Sequence, residues 1–507
     1  MKLDFKNYKD KVKACWLGKN IGGTMGTPYE CMREVLDIKG FKTAPNVVLP
    51  NDDLDLQLVW LYALEQLGAH AINANILGEF WHSLITPHWN EYGIGKANMR
   101  RGLIPPLSGD YDNDWRNSNG AWIRTEIWAC VAPAMPVIAA KYAIEDAKVD
   151  HGAGEGTFAA AFVAAMQSSA FAIQDLNSCI EIGLSAIPEK SRVARTVRLV
   201  LDCYNKGMDW LEARNRVLEE NMDIGNGWFE APSNIGYTVI GLIYGEGDFK
   251  KSMITAINCG DDTDCTGATV GATLGILYGM EGLPKDWCDH IGDSIVTVSI
   301  SKGGQGGLFP KTCSELTERV VSLAPSVLYA HNKSVEYAHQ VWTDKIYDSN
   351  GREHSVEFSD VNEIPEDIED LLKRRVKLLL LPETEELKPY SMHFESAFIR
   401  ADVTLGGVPE IKPSGEISAH IKFSNVRAFE NQQHPLSLRW ILPEGFSAQG
   451  KRSALLMDYN AHSIGETSVD AAIKAGDIVS GENRIILEVT VPGRHTALYI
   501  SFVLFGC

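Results

Sequence analysis

Apolar residues recur at helical spacing over roughly the first 330 positions, and the strict alternation of a half-buried strand is scarce there. The segment 53–67, DLDLQLVWLYALEQL, carries Leu54, Leu58, Leu61 and Tyr62 on a stripe and meets Gly68, so it predicts a helix with a glycine stop. Residues 157–172, TFAAAFVAAMQSSAFA, are apolar on nearly every face and predict a buried helix. After Asp262, the run TDCTGATVGATLGILYG places Gly267, Gly271, Gly275 and Gly279 four residues apart, along one ridge of a helix. Each interior helical glycine costs about 1 kcal/mol relative to alanine, so the ridge calls for a second helix with its backbone close by. In WLGKNIGGTMGTPYE, residues 16–30, Gly18, Gly22, Gly23 and Gly26 thin another helix, which Pro28 ends. Together these segments predict an all-α bundle centred on the glycine helix.

From about residue 385 the period changes. SAFIRADVTL, GEISAHIKFS, LSLRWILP, ENRIILEVTVP and TALYISFVLFG alternate in part and are separated by Gly, Pro and Asn turns, which predicts a small antiparallel β-sandwich. The expected organisation is therefore mainly α: a helical domain over 1–335, a linker with a short helix over 336–384, and a β-sandwich domain over 385–507. The β region is expected to pack on the bundle and shape its cleft or a homo-oligomer contact. Trp440 and Tyr459 are expected in its core rather than as sugar platforms.

Composition adds exclusions. With 47 Lys and Arg against 66 Asp and Glu the net charge is −19, a field that repels phosphate backbones and anionic lipid, so neither nucleic acid nor a membrane surface is an expected partner. The N-terminus has no signal-like apolar run, and no apolar stretch is long enough for a membrane helix. The ten cysteines form no CxxC pair or zinc-spaced cluster and read as free thiols of a cytoplasmic protein, most of them in the core.

Chemistry concentrates in two acidic clusters, NDDLD at 51–55 and DDTD at 261–264, each at the start of a predicted helix. Helix capping accounts for a single Asp. Adjacent carboxylates repel one another, and a divalent cation offsets that repulsion; hard oxygen donors suit one or two Mg²⁺ ions, with Mn²⁺ or Ca²⁺ as substitutes. The spacing is not that of an EF-hand. Glu30, just after the first glycine-rich helix, is placed at a loop with access to such ions.

The stretches GKNIGGTMGTPYE, NDDLDLQL and CGDDTDCTGATVGATLGILYG, in this order, resemble the ADP-ribosylglycohydrolases, a family that includes the enzyme that reactivates dinitrogenase reductase and also a lens crystallin. The likeness spans about residues 10–285 and leaves the C-terminal β region outside. It implies metal ligands at Asn51, Asp52, Asp53, Asp262, Asp264 and Cys265, with Glu30 and Asp53 catalytic. SNGAWIR, residues 118–124, resembles the family's middle loop and implies substrate contacts from Asn119, Gly120 and Arg124, and His151 in DHGAGEGTF resembles a substrate-facing histidine.

Departures from the family pattern bear on the site. Asn51 and Cys265 stand where threonines are usual, and a thiol is a soft ligand ill suited to Mg²⁺. Thr266 follows but lies about 100° round the helix. Asp55 replaces a glutamine and is expected to add charge near the site. The segment RRGLIPPLSGDYDNDWRN, 100–117, is acidic and aromatic and suits sugar hydroxyls better than a pyrophosphate. The resemblance thus implies a metal-dependent hydrolase of an ADP-ribosyl or related ribosyl or furanosyl bond, acting on a small molecule or a glycosylated substrate. Three alternatives remain open: a carbohydrate glycosidase on the same scaffold, a non-catalytic metal-binding protein, and an isoprenoid-synthase-like enzyme, although the run here is D-D-x-D rather than D-D-x-x-D.

Overall fold

The first helix, Phe5–Gly26, starts where the Asp4 carboxylate accepts the Asn7 N–H at 2.7 Å, and it ends in a 3₁₀ turn, Thr27–Tyr29, that contains Pro28. A computed structural model describes residues 1–225, 227–301, 308–338, 355–425, 433–457 and 465–507. In it the first helix lies antiparallel to Thr263–Tyr278 with the two backbones touching. A Cβ on Gly18 would stand 2.2 Å from the Gly271 oxygen, one on Gly22 2.1 Å from the Gly267 oxygen, and one on Gly26 2.2 Å from the Thr263 oxygen. The glycine ridge of the later helix therefore meets a second ridge on the first. This crossing sets the C-terminal end of one helix beside the N-terminal end of the other, which brings Glu30 toward Asp262 and Asp264.

Other helices wrap this pair. Asp52–Leu67 is capped by Asn51, whose side-chain oxygen accepts the Asp53 N–H at 2.7 Å, and it stops at Gly68 with φ 78°. Glu155–Ser169 is buried on nearly all faces, as its sequence predicts. Trp16, Trp60, Trp81, Trp122 and Trp128 fill the one core of the bundle. The acidic stretch expected as linker also packs here: in the helix Ile368–Leu379, Ile368, Leu372 and Val376 enter that core and Glu369 accepts from the Ser178 hydroxyl at 2.8 Å. The helix Cys313–Ala338 runs across the expected boundary at 335, and positions 339–354 of the expected linker lie outside the described residues. The three-residue strand Lys2–Asp4 pairs in parallel with Glu357–Ser359, too short a run to show a period in the sequence.

The C-terminal region forms two five-stranded sheets. One has the order Ser391–Glu395, Ile399–Leu405, Glu416–Asn425, Glu466–Lys474, Ser447–Gly450; the other runs Glu410–Ile411, Ala497–Gly506, Glu482–Thr490, Gln433–Ile441, Ser453–Met457. Pairing is antiparallel except for Glu410–Ile411, which lies parallel to the last strand with Phe505 opposite Glu410. Alternate residues such as Ile417, Ala419, Ile421 and Phe423 of the first sheet and Ile485, Leu487 and Val489 of the second share one apolar cluster. Trp440 packs against that cluster, and Tyr459 lies outside the described residues.

The segment 100–117 differs from its expected role. Leu103, Leu107 and Tyr111 belong to the core of the sheets, Tyr111 donates to Glu410 at 2.9 Å, and the Arg101 guanidinium stacks 3.7 Å over Phe505. These polar and aromatic groups join the bundle to the sheets. All ten cysteines are free and seven are buried. Among the described residues no helix is long and apolar enough to cross a membrane.

Candidate functional site

Two sets of ligand atoms meet at the helix crossing. Oxygens of Glu30, Asp262 and Asp264 lie within 4.8 Å of one another, and so do atoms of Asp53, Asp264 and Cys265, with Asp264 common to both sets. Asp53, Asp262 and Asp264 are buried, Asp52 is half-buried, and Glu30 is exposed at the edge. Helix N-termini supply part of the compensation: Asp52 and Asp53 open one helix, and Asp264 sits in the first turn of another.

Neighbouring groups hold these carboxylates. The Tyr92 hydroxyl donates to Asp52 at 3.0 Å, the Asn119 amide donates to Asp262 at 2.6 Å, and the Cys265 thiol donates to Asp53 Oδ1 at 3.3 Å. Asp261 turns aside: it has φ 69° and accepts from Asn234 at 3.2 Å, and its backbone pairs with Cys31 and Met32 on the strand-like turn after Glu30. That pairing fixes the position of Glu30. Asp264 Oδ1 and Asp53 Oδ2 are buried without a hydrogen-bond partner.

Crowding shows in the proton affinities. Although Glu30 is exposed as a residue, partial desolvation of its carboxyl by the protein around it, then Asp264 and Asp52, push it up to about 8. Burial and Asp264 raise Asp52 to about 6, partly offset by Tyr92. Burial also raises Asp53, Asp262 and Asp264, and the charge of Asp264 adds to the rise at Asp262. An orphaned buried oxygen beside hard carboxylate donors is what a divalent cation would satisfy, so the residues present fit one.

Beneath the cluster lies a buried ammonium. Lys19, from the first helix, donates to the Ile123 carbonyl at 2.7 Å and stands 3.1 Å from Glu126 and 3.9 Å from Asp53 Oδ2. Burial alone would lower its proton affinity, but Glu126 and Asp53 raise it. Lys19, Tyr92 and Glu91 escape a reading of motifs. Lys19 left one signal, a lone charge inside the apolar, glycine-rich WLGKNIGG.

Other expected site residues face elsewhere. Asn51 uses its side-chain oxygen as the helix cap and packs on Gly23, where a Cβ would lie 1.8 Å from its Nδ2. Thr266 donates to Thr263 O at 3.3 Å within its own helix. Gly120 donates its N–H to Glu91 at 3.1 Å, in a space where a Cβ would be 2.2 Å from that carboxylate. Arg124 is fully buried over Trp81, with Nε on Asp146 at 2.9 Å, Nη2 on Asp150 at 2.8 Å and Nη1 on the Gly120 carbonyl. It holds the 118–124 loop from inside. His151 is equally buried: Nδ1 pairs with the Arg116 carbonyl at 3.1 Å, and Nε2 lies 3.7 Å from Asp150 and 3.9 Å from Glu91.

Asp55 corrects an expectation. Its Oδ2 accepts the Val298 and Ser299 N–H groups, at 2.5 and 2.7 Å, so its charge anchors the 296–300 loop instead of adding to the cluster. Asp55→Ala would leave these donors without that acceptor and is expected to destabilise the protein by about 2–4 kcal/mol, read by urea unfolding. A change under about 0.5 kcal/mol would show that the loop does not depend on this anchor.

A family model described as ADP-ribosylglycohydrolase matches residues 4–322. The chain belongs to the ADP-ribosylglycohydrolase family. The chain is a hydrolase. It is 22% identical over 300 residues to ADP-ribosylarginine hydrolase Tri1 of Pseudomonas putida (strain GB-1), across 56% of this chain and 74% of that one. With Tri1 of Serratia proteamaculans (strain 568) it shares 37% identity over 49 residues, 10% of this chain and 13% of the other. A solved chain described as ADP-ribosylglycohydrolase-related protein complex shares 19% identity at a TM-score of 0.41, covering 64% of this chain and 98% of that one. The two C-terminal sheets lie beyond the residues matched to the family model.

Proposed function

We propose that this hydrolase is a divalent-cation-dependent enzyme that cleaves an ADP-ribosyl or related ribosyl or furanosyl bond. The observation that carries this reading is the meeting of two acidic stretches around Asp264, with Glu30 exposed beside them. Glu30, Asp262 and Asp264 would hold Mg²⁺, with Mn²⁺ or Ca²⁺ as substitutes, and a bound ion would supply positive charge for vicinal sugar hydroxyls.

The chain's own groups do the rest. Tyr92 orients Asp52 and Asn119 orients Asp262, so both carboxylates stand ready as positive charge develops on the sugar ring. Asp53, fully buried, acts on the charge balance from below. Glu30, ionised where it holds the cation, takes a proton from the water whose oxygen bonds to the anomeric carbon as the glycosidic bond breaks, and that proton passes on to the departing atom. Arg124, Glu91 and His151 support the Asn119–Gly120 loop from within the bundle. The acidic, aromatic segment 100–117 no longer favours a plain sugar as substrate, because its Leu103, Leu107 and Tyr111 lie in the core of the sheets.

The name of the Tri1 relatives makes ADP-ribosylated arginine the first substrate to try. Metal-free protein returned to Mg²⁺ should release ADP-ribose from it, measured by chromatography beside simple furanosides, and chelation should stop the release. Glu30→Gln keeps a carbonyl oxygen for the ion but cannot take up that proton, so turnover should fall about 10²–10⁴-fold without loss of Tm. Full activity in that variant would remove Glu30 from the mechanism.

A further inference from the structure

We infer that this chain binds one divalent cation, at Glu30, Asp262 and Asp264, and that the buried ammonium of Lys19 stands in for a second ion at Asp53, Asp264 and Cys265. The inference rests on the metal-dependent reading above and deepens it. The two positions share Asp264 but differ in everything else around them.

At the first position three carboxylates converge, and among the described residues none of them forms an ion pair with a basic side chain. At the second only two of the three ligands are carboxylates. The third is a thiol, a soft donor that ranks low for Mg²⁺ or Ca²⁺, and its hydrogen is already directed to Asp53 Oδ1 at 3.3 Å. The other oxygen of Asp53 has no hydrogen bond, and its nearby positive charge is Lys19 Nζ at 3.9 Å. That ammonium cannot step aside. Its side chain is wholly inaccessible to solvent and is tied to the Ile123 carbonyl and to Glu126, which also accepts the Gln57 amide at 2.8 Å and the Gln167 amide at 3.2 Å. A divalent ion at the second position would therefore meet a fixed like charge in a poorly screened interior, with fewer carboxylates to offset it.

Stoichiometry decides the matter without any assay of turnover. Metal-free protein is titrated with Mn²⁺ by calorimetry and its content fixed by elemental analysis, and the Co²⁺-loaded form is examined for a thiolate-to-cobalt absorption band. One Mn²⁺ per chain and no thiolate band support the inference. Two ions, or a thiolate band, overturn it while leaving the metal-dependent reading intact. No bound ion overturns both. Cys265→Ser supplies a hard oxygen while retaining Lys19 and is expected to stay at one ion; a second ion in that variant would show that the thiol, not the ammonium, excludes it.

Discussion

Asp264→Asn is expected to abolish divalent-cation binding and to lower kcat/KM by about 10³-fold or more, yet to raise the Tm of the metal-free protein. The first effect follows from position: Asp264 is the carboxylate common to both sets of ligand atoms, and no other residue replaces it there. The second follows from its environment. Burial raises its proton affinity, and its Oδ1 has no partner, so ionised Asp264 is a liability when no cation is present. An amide keeps the shape and removes the charge, which should gain about 1–3 kcal/mol in the metal-free state.

The pH dependence has a definite sign. A carboxyl whose folded-state affinity for protons is raised contributes stability below its unfolded value, near 4, and loses it as pH rises through the folded value. Metal-free wild type should therefore fall furthest behind Asp264→Asn at pH 8, and the gap should narrow toward pH 5. Saturating Mg²⁺ should reverse the order, since an ion present at 100 times its Kd adds about 2.7 kcal/mol to the wild type alone. Thermal scans at pH 5 and pH 8, with and without Mg²⁺, test both effects. An Asp264→Asn protein that still binds the ion, or one less stable than metal-free wild type at pH 8, would place the cation elsewhere.

Much of this site is legible in the sequence because its features are local. Adjacent aspartates at the head of a helix and glycines repeated every fourth residue each announce a physical problem, charge repulsion in one case and a missing side chain in the other. The solution to both is the same crossing of Phe5–Gly26 with Thr263–Tyr278. What stayed hidden depends on partners distant in the chain. Asp55 looked like a sixth acid, but two residues beyond Asp53 is about 200° round the helix, and it points to Val298 and Ser299. The 100–117 segment has the composition of a sugar site because stacking and hydrogen bonding also serve a domain seam, and its partners, Glu410 and Phe505, lie about 300 or more residues away. Arg124 and His151 match a loop motif, yet one is locked between Asp146 and Asp150 and the other is buried behind the loop. Spacing shows that such residues belong near one another; it does not show which side of the backbone they occupy.

Gly22→Ala is expected to be as damaging as loss of a ligand, although it removes no chemical group. Intrinsic helix propensity favours the change by about 1 kcal/mol, so a freely exposed helix would be stabilised. Here the added methyl would stand 2.1 Å from the Gly267 oxygen, 2.2 Å from its carbonyl carbon and 2.5 Å from the Ala268 nitrogen. All three are backbone atoms, so no rotamer change relieves the clash and the helices must separate. The expected net loss is about 3 kcal/mol or more. Separation also acts on the site, because Glu30 follows one helix and Asp262 and Asp264 begin the other. Cation affinity should therefore fall together with stability, an effect that an ordinary core defect far from the crossing would not produce. Gly40→Ala makes the control, since a Cβ there meets nothing within 4 Å. Denaturant unfolding and Mn²⁺ calorimetry on the two variants separate the possibilities: a Gly22→Ala protein with wild-type affinity and stability would mean that the crossing is not what holds the acidic groups together.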